Sequence, residues 1–98
     1  MEILWTPTAR HTYLKILDYL EKAWTEKETQ NFISEVDCLL EQLKQNPEMF
    51  EESRKKRNVR KGFVTKYNTL YYRVRPRKKE LQLLVFWDNR QDPEKLPY

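Results

Sequence analysis

The residues of this sequence that could do chemistry are mainly arginines. Arg90 follows an apolar run and stands among turn-forming residues, and Arg73 lies inside a run of strand-forming residues. Guanidinium groups bind phosphates and carboxylates through paired hydrogen bonds, so both positions predict contact with an anion. The densest basic segment supplies three further candidate binding residues: Arg57, Arg60 and Lys61.

Charge is distributed very unevenly along the 98 residues, whose net charge is +4. Residues 1–53 contain 11 acidic and 5 basic residues (−6), residues 54–79 contain 12 basic residues and no acidic one (+12), and residues 80–98 contain 4 acidic and 2 basic residues (−2). The central block attracts a phosphate backbone or an acidic protein segment. The alternative is a solvated basic loop that only keeps the protein soluble.

Other kinds of chemistry lack the residues that they require. The sequence has no Gly-rich phosphate loop, no Cys/His spacing typical of metal sites and no nucleophile beside a base, so no cofactor, metal or small-molecule substrate is expected. His11 and Cys38 are both predicted to lie on outer helix surfaces. With one cysteine, no signal peptide and no apolar run near the roughly 20 residues that span a bilayer, the chain is expected to be cytoplasmic and independent of membranes.

The first half of the chain is predicted to form a strand and two helices. A short strand, Glu2–Trp5, precedes a helix that begins at Thr6-Pro7, because threonine caps a helix and proline suits its first turn. Thr25 and Glu28 match a capping box that starts a second helix, which ends at Asn46-Pro47. One apolar stripe on each helix predicts a helical hairpin with a single buried side. The stripes are Ala9, Tyr13, Ile16, Leu17, Leu20 and Trp24, and then Phe32, Ile33, Val36, Leu39, Leu40 and Leu43.

The second half is predicted to form three strands, Asn58–Val64, Thr69–Arg75 and Glu80–Trp87. The last strand is apolar on both faces in its second half, which is typical of a central strand. Gly62, the only glycine, indicates a bulge or a close backbone approach inside its strand. The predicted fold is therefore a single α+β domain, residues 1–98, of order β-α-α-β-β-β. In it, a helical hairpin packs on a small, mainly antiparallel sheet.

Alternation along the middle strand separates apolar from basic residues. One face holds Leu70, Tyr72 and Val74, and the other holds Tyr71, Arg73 and Arg75. An exposed tyrosine beside two arginines suits a surface that binds phosphates and stacks on unpaired bases. A cross-strand ion pair is the alternative explanation of Arg73.

The ordered set of motifs resembles the RelE/ParE superfamily of bacterial toxins from type II toxin-antitoxin modules, of the plasmid-stabilisation type. A short strand is followed by a helical hairpin closing on Asn46-Pro47, then by Leu70-Tyr71-Tyr72-Arg73-Val74, and then by an apolar strand that ends in Asp88-Asn89-Arg90-Gln91-Asp92-Pro93. The likeness covers nearly the whole chain. It implies a small domain with an antiparallel sheet behind two helices, and a cognate antitoxin protein that neutralises it.

The resemblance implies two alternative targets. RelE-like members cut messenger RNA in the ribosomal A site without metal, and ParE-like members poison DNA gyrase. Arg90 matches an arginine just beyond the last strand of the ribonuclease branch, and Arg60 matches one of its basic strand residues. As a metal-independent, ribosome-dependent endoribonuclease, the chain would use Arg60, Arg73 and Arg90 as catalytic groups.

Two departures from the ribonuclease pattern favour gyrase over the ribosome. The ribonucleases tend to have Lys-x-Lys where this chain has Arg60-Lys61-Gly62, and arginine where it has Thr69. The chain is therefore expected to be a growth-arresting toxin acting on gyrase, with the ribonuclease and a non-toxic basic binding domain of the same fold as alternatives. Tyr98, the last residue, resembles the C-terminal tyrosine of some nucleases of this superfamily.

Contact with the target or antitoxin is expected at the basic positions and the tyrosine named above: Arg57, Arg60, Lys61, Tyr71, Arg73, Arg75 and Arg90. The antitoxin is expected to place an acidic or amphipathic segment over the basic sheet face or along the helical hairpin.

Overall fold

The computed structural model describes residues 1–97, and Tyr98 lies outside the described residues. The elements are β1 (Glu2–Trp5), α1 (Pro7–Ala23), α2 (Glu26–Gln45), β2 (Val59–Thr65), β3 (Asn68–Arg75) and β4 (Glu80–Asp88). One 3-10 turn, Pro76–Lys78, lies between β3 and β4, and another, Pro93–Lys95, follows β4. The predicted β-α-α-β-β-β order is confirmed. No helix in residues 1–97 has the length and apolar character needed to cross a membrane.

The four strands form one sheet in the order β1-β4-β3-β2. β1 pairs with β4 in parallel, whereas β2–β3 and β3–β4 are antiparallel. β4 therefore lies inside the sheet, as its apolar sequence predicts. β2 is an edge strand, and its first residues are covered by the segment after α2, where the Lys61 amide donates to the Glu51 carbonyl at 3.1 Å.

The two helix starts differ. Thr6 caps α1 as predicted, since its Oγ1 accepts from the Ala9 amide at 3.1 Å and donates to the Leu83 carbonyl of β4 at 2.7 Å. Thr25 precedes α2 in extended conformation, but its side chain makes no capping hydrogen bond. The reciprocal capping box predicted for Thr25 and Glu28 is therefore wrong, and the helix starts through the Glu28 amide, which donates to the Thr25 carbonyl at 3.1 Å.

The main core lies between the helical hairpin and one face of the sheet. Its buried residues include Phe32, Val36, Leu39 and Leu43 of α2 and Leu70, Tyr72, Leu81, Leu83 and Phe86 of the sheet. α1 contributes Ala9 and several half-buried side chains, but Trp24 is 57% exposed. Its predicted place in the apolar stripe is wrong, because α1 ends at Ala23 and Trp24 follows as the C-cap residue in extended conformation.

Gly62 lies where α2 packs on the sheet. A Cβ at this position would lie 3.4 Å from a Tyr72 ring carbon and 3.6 Å from a Leu39 methyl carbon. The register of β2 against β3 also shifts between Phe63 and Thr65. The predicted bulge is therefore found one residue beyond Gly62, whereas a Cβ at Gly62 would make only ordinary van der Waals contacts.

Candidate functional site

The sheet places the predicted arginines on different faces. Residues paired across an antiparallel ladder share a face. Arg60 pairs with Tyr72 of the main core and so lies on the helix side, whereas Arg73 pairs with Val59 and lies on the outer face. The two side chains therefore leave the sheet on opposite faces, although both line one cleft at this end of the sheet.

Arg60 and its partner Tyr72 both hold the chain that leaves α2. Arg60 Nη1 donates to the Phe50 carbonyl at 2.7 Å, and the Tyr72 hydroxyl donates to the Pro47 carbonyl at 2.9 Å. Burial raises the pKa of Tyr72 to about 12, an increase that Arg60 partly offsets. Arg60 therefore has a structural role that its sequence context did not reveal.

Arg90 is far from the other two arginines. It follows β4, whose last residue, Asp88, pairs with Asn68 at the start of β3. Arg73 lies five residues further along β3, a separation of about 17 Å at the usual rise of a strand. The three arginines proposed for catalysis do not form one cluster.

The outer face differs from expectation at Tyr71. This side chain is 8% exposed and belongs to a second small core with Val59, Val85 and Leu96. Burial raises its pKa. The expectation of an exposed tyrosine that stacks on bases is therefore wrong, because the C-terminal segment crosses this face and Leu96 covers the ring.

The remaining outer-face cations make local contacts. Arg75 Nη1 lies 3.9 Å from Glu80 Oε1, directly across the ladder, and Lys61 Nζ lies 3.2 Å from Glu51 Oε1. Arg73 Nη1 donates to Gln82 Oε1 at 3.3 Å. The cross-strand ion pair considered for Arg73 is thus formed by Arg75, and Arg73 keeps a neutral partner. Arg57 is exposed in the loop before β2.

Arg90 forms a two-pronged ion pair with Asp88. Its Nε and Nη2 atoms donate to the two carboxylate oxygens at 3.0 and 2.8 Å, and its backbone amide donates to Oδ1 at 2.9 Å. The hydrogen bonds from Arg90 lower the pKa of Asp88 although partial burial opposes them. The guanidinium is therefore held in place and paired, while 64% of the side chain remains exposed.

A broad groove of about 1160 Å³ opens beside Arg90, between the helical hairpin, the β2–β3 turn and the end of β4. We call it the hairpin groove and define it by Tyr19, Trp24, Phe32, Tyr67, Phe86 and Arg90. Tyr19, Trp24 and Tyr67 are 49%, 57% and 51% exposed. Its lining carries four basic and four acidic side chains, so its charge is balanced: Lys15, Lys66, Arg90 and Lys95 against Glu28, Glu35, Asp88 and Asp92.

Sequence reasoning missed the hairpin groove. The sequence pattern places Trp24 in the apolar stripe of α1, and it assigns no role to Tyr67. The available signal was their position at element ends, where an aromatic ring has few neighbours to cover it. Lys66 Nζ lies 5.1 Å from the centre of the Tyr67 ring and helps to hold that ring.

Comparison with known proteins agrees with the fold and identifies the family. A chain of the solved structure "Chromosomal ParDE TA system from P. aeruginosa" superposes with a TM-score of 0.67 at 18% sequence identity, covering 90% of this chain and 95% of that chain. The architecture is thus that of a small ParE-like α+β domain. The family model described as "ParE toxin of type II toxin-antitoxin system, parDE" matches residues 3–93, and the chain belongs to this family. No curated protein matches the sequence.

Proposed function

We propose that this toxin of a type II toxin-antitoxin module arrests bacterial growth by acting on DNA gyrase. The separation of Arg90 from Arg60 and Arg73 is the observation that carries the proposal. Catalysis of phosphodiester cleavage requires charged groups held around one reacting phosphate, within a few ångströms of the atoms where charge develops. Arg60 and Arg73 both line a cleft at one end of the sheet, but Arg90 lies at the other end, so the three groups do not meet that requirement.

The contacts of Arg60, Arg90 and Thr69 also argue against RNA cleavage. Arg60 is bonded to the Phe50 carbonyl and Arg90 to Asp88. Thr69, at the position where the ribonucleases tend to have arginine, donates its hydroxyl to Asn89 Oδ1 at 2.7 Å. These contacts favour a role for Arg90 as a fixed contact to a protein target over a role in RNA cleavage.

The hairpin groove is the proposed binding site of the antitoxin. Of the two places considered from the sequence, the outer sheet face is partly occupied by Leu96, whereas the hairpin groove presents three half-exposed aromatic rings. An amphipathic helix binds such a groove through apolar side chains at helical spacing. The balanced charge of the lining favours an amphipathic segment over a uniformly acidic one.

Two parallel assays of the purified toxin test the target. We expect it to inhibit supercoiling of relaxed plasmid by gyrase, and to leave messenger RNA on translating ribosomes without codon-positioned cuts. Cuts at fixed codon positions together with undisturbed gyrase would support the endoribonuclease and contradict the proposal.

A growth assay tests whether the domain is a toxin at all. We expect induced expression without the antitoxin to stop growth in the bacterial cytoplasm, and co-expression of the antitoxin to restore it. Normal growth at confirmed expression levels would favour a non-toxic binding domain with this fold.

A further inference from the structure

A second concave site lies at the end of the sheet opposite Arg90. Val59 pairs with Arg73 at the start of β2, but β3 continues to Arg75, which pairs with β4 alone. β3 therefore extends two residues beyond the start of β2. This end of β3 and the turn after it line a cleft of about 480 Å³. We call it the basic cleft and define it by Asn58, Arg60, Arg73, Arg75, Arg77 and Lys78.

The charge of the basic cleft is not neutralised locally. In the part of the chain that the structure describes, five cationic side chains line it, and Glu48 is the one carboxylate. Arg75 approaches Glu80 only to 3.9 Å. Within residues 1–97, Arg77 and Lys78 are exposed and have no ion-pair partner.

Several of these cations are held in place before any ligand arrives. Arg60 is fixed by the Phe50 carbonyl and Arg73 by Gln82. The turn that carries Arg77 and Lys78 is closed by the Lys79 amide, which donates to the Pro76 carbonyl at 3.2 Å. Each guanidinium has five N–H donors, so those used internally leave others free for an anion. Such preorganisation reduces the entropy lost on binding.

We propose that the basic cleft binds the phosphate backbone of double-stranded nucleic acid, without regard to base sequence. Four arginines and a lysine match phosphate groups in geometry and charge. Among residues 1–97, no aromatic ring lines the cleft, so this part of the chain offers no platform for stacking unpaired bases, as a site for single strands does. Backbone contacts of this kind fix a protein on a duplex but carry no sequence information.

An acidic protein segment is the competing class of ligand. A peptide gains affinity from apolar anchors in pockets as well as from charge. Among the described residues of the lining, Val74 and Pro76 are the only apolar ones. The basic cleft is therefore better suited to a polyanion recognised by charge alone. It lies at the other end of the sheet from the hairpin groove, so both sites are available together.

Binding of labelled 20-base-pair duplexes, followed by fluorescence anisotropy, tests the proposal. DNA duplexes of two unrelated sequences and an RNA duplex serve as probes over a series of salt concentrations. We expect both DNA sequences to bind within about twofold of each other, and the logarithm of the binding constant to fall linearly with the logarithm of salt. Comparison of the RNA duplex with the DNA duplexes shows whether the surface selects DNA or binds any duplex.

The decisive variant is Arg77→Glu combined with Lys78→Glu. We expect at least a tenfold loss of duplex affinity and a salt slope shallower by about 2, since each lost phosphate contact removes about 0.9. The matched control, Arg10→Glu with Lys27→Glu, makes the same change in net charge at exposed helix positions and is expected to lose at most threefold. Arg77→Ala alone is expected to reduce the slope by about 1.

Equal losses in the two double variants would overturn the proposal, because only net charge would then matter. It would also be overturned if a poly-glutamate peptide lost affinity in the Arg77→Glu and Lys78→Glu variant while duplex binding did not change. The gyrase and growth assays are independent of these measurements, so this inference and the proposed target can fail separately.

Discussion

The two concave sites of this toxin lie at opposite ends of one sheet and differ in how their charge is compensated. The hairpin groove balances four basic against four acidic side chains, and its arginine is paired with Asp88. The basic cleft sets five cations against one carboxylate. Of the two sites, only the hairpin groove has exposed aromatic rings among its described lining residues. A partner of mixed, amphipathic character therefore suits the first site, and a polyanion suits the second.

The largest effect expected is on antitoxin binding. Replacing both Tyr19 and Trp24 by alanine removes two half-exposed rings from the hairpin groove. We expect at least a hundredfold loss of antitoxin affinity, about 3 kcal/mol, since aromatic anchors dominate such interfaces. Isothermal titration calorimetry measures the change.

The same titration with Arg77→Glu and Lys78→Glu provides the control for this comparison. That variant alters only the basic cleft, and we expect antitoxin affinity to stay within about threefold of wild type. A larger loss in the basic-cleft variant than in the aromatic one would reverse the assignment of the two sites.

The next effect concerns the outer face between the two sites. Leu96 is 7% exposed and packs with Val59, Tyr71 and Val85. We expect Leu96→Ala to lower the free energy of unfolding in urea by about 2 kcal/mol, at the low end for buried leucines because a chain terminus relaxes easily. Lys95→Ala, at an exposed neighbour, should change it little. Unchanged stability in both would show that the C-terminal segment does not cover Tyr71.

The smallest effect concerns the ion pair of the hairpin groove. In Arg90→Gln, the pKa of Asp88 should rise toward its ordinary value, because the hydrogen bonds that lower it are lost. The pKa of Asp88 in the folded state lies below its unfolded value, so the pair stabilises the fold above the unfolded pKa. This contribution disappears as the pH falls through the folded pKa.

NMR titration of the Asp88 carboxylate in wild type, Arg90→Gln and Arg77→Gln measures this effect. Arg77 has no ion-pair partner within the described chain, so its variant should leave the Asp88 curve in place. An Asp88 pKa that is the same in all three proteins would contradict the pairing of Arg90.

Local patterns in the sequence predict the helices and strands, but they do not predict which side chains on each face of the sheet are buried. Periodicity and the Thr6 cap give the helices and strands to within a residue or two, because these signals act over a few residues. The burial of Tyr71 depends on Leu96, which is 25 positions away in the chain. The side to which Arg60 points depends on the register of β2, and a slip of one residue reverses it.

The candidate site was predictable only in part. The sequence identifies Arg90 from its place after the last strand, but it does not predict the pairing with Asp88 or the contact with Tyr19. Alternation correctly places Tyr71 and Tyr72 on opposite faces, but it does not predict that Tyr71 is buried as well. Long-range packing, rather than residue type, decides which arginines remain free to bind.

Supercoiling of relaxed plasmid by DNA gyrase, measured against increasing toxin and then with antitoxin added, tests the central claim most directly. The account predicts that supercoiling falls as toxin is added and recovers when the antitoxin reaches an equal concentration. Complete supercoiling at every toxin concentration, with cleaved messenger RNA on ribosomes treated in parallel, would contradict it.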